Sequence, residues 1–158
     1  MGLNVKTYGN INLSNNRKDA NFLAHVVLKK WDYKIKNLEN EKYYKGNIIF
    51  DGISYSYFYH NRFREKLIRL INREDLLNED GKINWNILPD DIPFYEFIDF
   101  SDCDGCLDFE VSEKIYSDFK NYNKKAELEM NEYDYFNYLK WLETFRFSKK
   151  HKGVVVFS

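Results

Sequence analysis

Along the chain the spacing of apolar residues changes from a period of two to a period near 3.6. From Gly2 to Leu13, Leu3, Val5, Ile11 and Leu13 share one parity with Thr7, and mostly polar residues occupy the other. That alternation predicts a strand, interrupted at Gly9-Asn10 by a hairpin or bulge signal. Residues 14–19 are polar and predict a loop. Ala20 to Tyr33 carries Phe22, Leu23, Val26 and Val27, then Trp31, Tyr33 and Ile35 alternating with polar residues, which favours strands over a helix. After a polar turn at 37–42, Tyr43 to Phe50 predicts another strand, ending at Asp51-Gly52.

From Tyr59 to Arg73 the period lengthens. Phe63, Leu67, Leu70 and Ile71 form a helical stripe, and Arg62, Arg69 and Arg73 share the other face. Asn78-Glu-Asp-Gly81 reads as a turn, and Pro89 and Pro93 bracket an irregular segment. Asp108 is a suitable N-cap for a helix bearing Val111, Ile115, Phe119 and Tyr122, with Glu110 favourably placed in its first turn. A further helix is predicted from Asn131 to Ser148, with Tyr135, Leu139, Leu142 and Phe145 inward and Tyr138 and Trp141 widening that side. Gly153 is suited to a left-handed cap, and Val154 to Phe157 to a closing strand. The expectation is a single α+β domain over residues 1–158, with N-terminal antiparallel strands, three main helices and a short C-terminal strand.

A chain of 158 residues with 44% hydrophobic and 31% charged residues has ample material for a core. Aromatics reach 18%, a bias that fits an AT-rich coding composition at least as well as an aromatic binding surface. The net charge of −1 conceals a division: residues 1–73 sum to +8, 74–138 to −13 and 139–158 to +4. Such a bipolar chain favours internal pairing or the steering of charged partners, and its acidic middle speaks against general nucleic-acid binding. No stretch has the length of a membrane span, and the first residues lack the pattern of a signal peptide or a myristoylation signal. The expected location is the cytoplasm, the host-cell cytoplasm if the chain is phage-encoded, with reduced thiols.

Two stretches concentrate chemistry. The first, Asp99-Phe-Ser-Asp-Cys-Asp-Gly-Cys-Leu-Asp-Phe-Glu110, holds five carboxylates and both cysteines. Clustered carboxylates raise one another's pKa unless a cation, arginine or backbone N–H groups compensate. An EF-hand alignment fails because Phe100 and Val111 would occupy the two chief ligand positions. Cys103-x-x-Cys106 is half a zinc site whose other half would require two of His25, His60 and His151, and it lacks the βαβ setting of a redox pair. Buried free thiols, no cofactor and no tightly bound metal are therefore expected, and the carboxylates are expected to cap turns or meet an arginine. The second stretch, Ser54 to Glu65, sets Tyr55, Tyr57, Asn61, Arg62 and Arg64 at a strand-to-helix junction. Arginine grips phosphate or carboxylate, and tyrosine faces suit a base. Arg62 and Arg64 lie about 200° apart on a helix. One should therefore turn inward to the acidic stretch and the other remain at the surface or in a pocket.

The motifs S-Y-S…N-R-F-R-E-K-L, P-F-Y-E-F-I-D-F-S-D-C-D-G and G-V-V-V-F, with the opening G-L-N-V-K-T-Y, resemble a family of small uncharacterised proteins common in phages and prophages. That pattern has a glycine soon after S-Y-S, where this chain has Tyr57, and generally no cysteine at the place of Cys106. The resemblance implies a phage context without assigning an activity. The leading expectation is a non-enzymatic binding protein that holds an anionic, nucleotide-like small molecule or a host protein in a counter-defence role. Its candidate ligand-binding residues are Tyr55, Tyr57, Asn61, Arg62, Arg64, Asp99, Ser101, Asp102 and Asp104. The alternatives are a metal-dependent phosphoesterase built on residues 99–110 and an inhibitor acting through an acidic surface.

Overall fold

The structure, a computed structural model, describes residues 2–25, 35–100 and 104–158. Five antiparallel strands form one sheet: β1 (Gly2–Leu13), β2 (Phe22–Ala24), β3 (Lys42–Ser56), β4 (Gly105–Leu107) and β5 (Val154–Phe157), in the order β2-β3-β1-β5-β4. Helices α1 (Tyr57–Leu70), α2 (Tyr95–Asp99), α3 (Phe109–Glu129) and α4 (Glu132–His151) complete the α+β fold, with α1, α3 and α4 as its three main helices. No helix among the described residues is long and apolar enough to cross a membrane.

The β1–β3 pairing is broken by three register shifts, each of which adds local twist. Two lie where sequence signals suggest chain reversal or termination. Asn10, with φ of 52°, sits in the shift between Gly9 and Asn12, so Gly9-Asn10 is a bulge within one long strand. Asp51-Gly52 does not end β3 as its composition suggests. Val5 pairs with Ile53 and Lys6 with Asp51, which leaves Gly52 as the extra residue of a second bulge. Cross-strand pairing on both sides of the dipeptide outweighs its local turn preference. Of the Ala20–Tyr33 segment, Phe22–Ala24 is strand, and the part from 26 to 33 lies outside the described residues.

The sheet is buried on both faces. Leu3, Val5, Ile53, Leu107, Val155 and Phe157 face the helices in the main core, while Tyr8, Phe22, Ala24, Tyr44, Cys106 and Val154 form a smaller core on the other side. The two-sided burial explains why β5 is the unbroken apolar run Val-Val-Val-Phe. Cys106 is a free, buried thiol, and burial pushes its pKa up to about 12.

The third helix matches the reading of its N-cap, and the fourth starts where its pattern predicts. Asp108 accepts a hydrogen bond from the Val111 N–H, and Asn131 accepts one from the Asp134 N–H. On α4, however, the buried stripe runs through Asp134, Asn137, Tyr138, Trp141, Thr144, Phe145 and Ser148, while Tyr135, Leu139 and Leu142 sit at its margins. Small polar residues are inward because they bond to backbone, as Thr144 Oγ1 does to the Lys140 carbonyl and Ser148 Oγ to that of Gly153. The left-handed residue after α4 is Lys152, with φ of 47°, and not Gly153. Gly153 is required for a different reason: a Cβ there would run into the Tyr8 carbonyl oxygen.

The two edges of the sheet also meet. The Cys106 N–H donates to the His25 carbonyl at 2.9 Å, and His25 Nε2 lies 3.0 Å from the Asp104 carboxylate. The curled sheet thereby shields edges that would otherwise invite pairing with another chain. Burial opposes charge on His25, but Asp104, the Leu23 carbonyl and Glu41 outweigh it and raise the pKa above 6.5. With a raised folded-state pKa, the protonated ring stabilises the fold fully below the unfolded value and loses that contribution as pH climbs through the folded one. The expected outcome is that the urea midpoint declines between about pH 6 and pH 8, and that His25→Gln flattens this decline. An unchanged slope in the variant would show that the clip carries no stability.

Candidate functional site

The junction of β3 and α1 is set by Ser56, whose hydroxyl caps α1 by accepting from the Tyr59 N–H at 3.1 Å. From that start, Phe63, Leu67, Ile68 and Leu70 face the core, joined by His60 and Arg64, while Phe58, Arg62 and Arg69 face outward.

Arg64 is fully buried. Its Nη1 donates to the carbonyl oxygens of Ile98 and Phe100, both at 2.9 Å, its Nη2 donates to Asn61 Oδ1, and its guanidinium lies 5.3 Å from the centre of the Trp85 ring. The inward arginine therefore reaches the start of the acidic stretch through that stretch's backbone. Asn61 is tied down at both ends, since its Nδ2 donates to the Tyr57 carbonyl. Arg62 is exposed and has no carboxylate partner among the described residues; its guanidinium lies 5.8 Å from the centre of the Phe58 ring.

Tyr55 is turned inward. Its hydroxyl accepts from Trp141 Nε1 and lies 3.2 Å from His60 Nδ1. Its ring packs edge-on to Tyr59 and Trp141, so it offers no free face for stacking. Desolvation, then the Arg64 charge, pushes the His60 pKa well below the usual range, so the ring is neutral. Tyr57 is half-buried against the main core.

The described carboxylates of the acidic stretch diverge. Asp99 is fully buried at the end of α2. Asp104 meets His25 and the Gly105 N–H. Asp108 caps α3 and accepts from the Lys36 N–H and from Asn37 Nδ2, and Glu110 pairs with Lys36 at 2.9 Å. Ser101, Asp102 and Cys103 lie outside the described residues. Among the described residues no three His, Cys, Asp or Glu side chains are grouped to hold a metal ion. The stretch also contains the strand β4, which the carboxylate-rich sequence obscured.

The surface around Arg62 contains a cleft of about 300 Å³ lined by Phe58, Asn61, Glu65, Lys82, Ile83 and Trp85. One wall is the first two turns of α1. The other is the segment following the Asn78 turn, where Asn78 Oδ1 accepts from the Asp80 and Lys82 N–H groups, Gly81 adopts φ of 74°, and Leu77 bridges to Ile83. That turn brings Lys82 to 3.2 Å from Glu65 and to 5.6 Å from the centre of the Phe58 ring. Phe58 is 65% exposed with a cation on each of two approaches. Phe58, Lys82 and Trp85 were not among the candidates read from the sequence. The signal for Phe58 was available, because it shares the face of Arg62 and opposes the apolar stripe. Trp85 sits in an aperiodic segment and gave none.

No protein-family model, curated protein or solved structure matches this chain.

The two arginines should separate cleanly in stability. Arg64→Ala removes the donors from two buried carbonyls and from Asn61 and should cost about 2–4 kcal/mol, whereas Arg62→Ala should stay within about 0.5 kcal/mol of the parent. Chemical denaturation of both variants checks this, and equal losses would refute the assignment.

Proposed function

We propose that this chain is a non-enzymatic binding protein for a nucleotide-like anion, with the cleft between α1 and residues 82–85 as its binding site. The observation that carries this reading is Phe58, a large aromatic ring 65% exposed and flanked by Arg62 at 5.8 Å and Lys82 at 5.6 Å. An exposed ring with cations beside it suits a ligand that joins a flat π-system to a negative charge. The base stacks on the ring, and the phosphate meets guanidinium and ammonium.

The cleft volume is at the lower end of the range typical of small-molecule sites. Glu65 is held by Lys82, so its charge is offset at the mouth. On the inner wall, the Trp85 ring is backed by the buried Arg64 guanidinium, which fixes its orientation before any ligand arrives. In the phage setting implied by the sequence resemblance, taking up a nucleotide signal would serve a counter-defence role by sequestration, without chemistry.

Calorimetric titration with adenosine monophosphate tests the reading. Saturable binding is expected. Arg62→Ala and Phe58→Ala should each weaken it by about tenfold or more while leaving the melting temperature nearly unchanged, since tenfold corresponds to the loss of about 1.4 kcal/mol. Absence of binding, or binding indifferent to both substitutions, would overturn the proposal.

A further inference from the structure

A second cleft, of about 330 Å³, lies on the other flank of α1 and is lined by Lys66, Arg69, Leu70, Glu129, Met130, Asn131 and Asp134. Successive helical residues advance by about 100°, which orders the α1 side chains around the axis as Asn61, Glu65, Phe58, Arg69, Arg62, Lys66, Leu70. The first three line the first cleft, and Lys66 and Leu70 line the second. Arg69 and Arg62 stand on the ridge between them. They are seven residues apart, which places them nearly in line and roughly 10 Å apart along the axis. Both are exposed, and neither has a carboxylate partner among the described residues.

The charges inside the second cleft are already matched. Asp134 is buried and accepts from Tyr59 Oη at 2.8 Å, from Asn131 Nδ2 at 2.6 Å and from Lys66, while Glu129 lies 3.8 Å from Lys125. What remains for a ligand is the half-buried Met130 side chain, a soft floor for a flat ring, together with the Arg69 side chain at the rim.

Two clefts of similar size, separated by a ridge carrying two arginines with no carboxylate partner among the described residues, have the form of a site for a ligand with two flat units and an anionic linker. We infer that the ligand is a dinucleotide, with one base against Phe58 and Trp85, the other over Met130, and the linking phosphate on Arg62 and Arg69. This rests on the reading of the first cleft given above and specifies the ligand class for it. A tethered second unit engages at high effective concentration, so the gain over a mononucleotide should be large.

The test compares adenosine monophosphate with the linear dinucleotide pApA by calorimetry, using the parent chain, Arg69→Ala and Met130→Trp. The parent should bind pApA at least about tenfold more tightly than the mononucleotide. Met130→Trp, by filling the second cleft, should erase that gain and leave mononucleotide affinity unchanged, and Arg69→Ala, by removing a ridge cation, should erase the gain as well. Equal affinity of the parent for the two ligands, or a gain that survives both substitutions, overturns the inference and leaves the first cleft standing. Failure of both ligands to bind the parent overturns the first-cleft reading and this inference with it.

Discussion

The structure depends most on the burial of the Arg64 guanidinium. A charge with no exposed surface is tolerated only if its donors are used and its field is answered locally. Here Nη1 donates to the Ile98 and Phe100 carbonyls, at the end of a five-residue helix whose last carbonyls have no intrahelical partners, and Nη2 donates to Asn61. Arg64 thus completes α2, and α2 with its C-cap in turn supplies Phe97, Ile98 and Phe100 to the main core. The same guanidinium backs Trp85 and so holds the segment bearing Lys82 against α1. One ionic group joins the packing of the core to the shape of the cleft, which is why the cleft exists without a strand or helix forming its second wall.

Around that anchor the aromatic excess of the sequence finds its use. Phe97 touches His60, Phe63, Phe119, Trp141 and Phe145, and Trp141 touches Tyr55, Phe145 and Phe157. Most of these pairs are edge-on or tilted, the arrangements aromatic quadrupoles favour. Phe94 enters this cluster with a left-handed backbone, φ of 63°, that a bulky residue rarely adopts. Its N–H is held by Asp118 Oδ2 at 3.0 Å, and burial raises that carboxyl's pKa. The aromatic bias is mainly a core property, which makes the few exposed rings the informative ones.

Elements with their own periodicity or caps were legible from the sequence: β1, α1, the Asp108 and Asn131 helix starts, and β5. The failures share a cause. Asp51-Gly52, Gly153 and β4 take their conformations from neighbours distant in sequence: the β1 ladder, the Tyr8 carbonyl and the β5 edge. Local preference carries no record of those neighbours. At the site, the opposed directions of Arg62 and Arg64 followed from helix geometry alone. That Tyr55 turns inward did not, because its direction is decided by a hydrogen bond to Trp141, 86 residues away.

The separation of Arg62 from Arg64 by Phe63 has a consequence for how such a surface is maintained. Phe63 and Leu67 fix the rotation of α1 against the core, so positions 58, 62 and 69 project outward whatever residues occupy them. Packing places no demand on those positions, and an exposed phenylalanine there gains nothing from the core while leaving apolar surface in water. Arginine at 62 likewise forms no ion pair among the described residues that folding would reward. Residues that core packing does not require thus stand grouped around a cleft that core packing builds, and that grouping is the ground for the proposed site. That division between a scaffold set by Arg64 and an outward face free to vary allows the surface around the cleft to change without disturbing the fold.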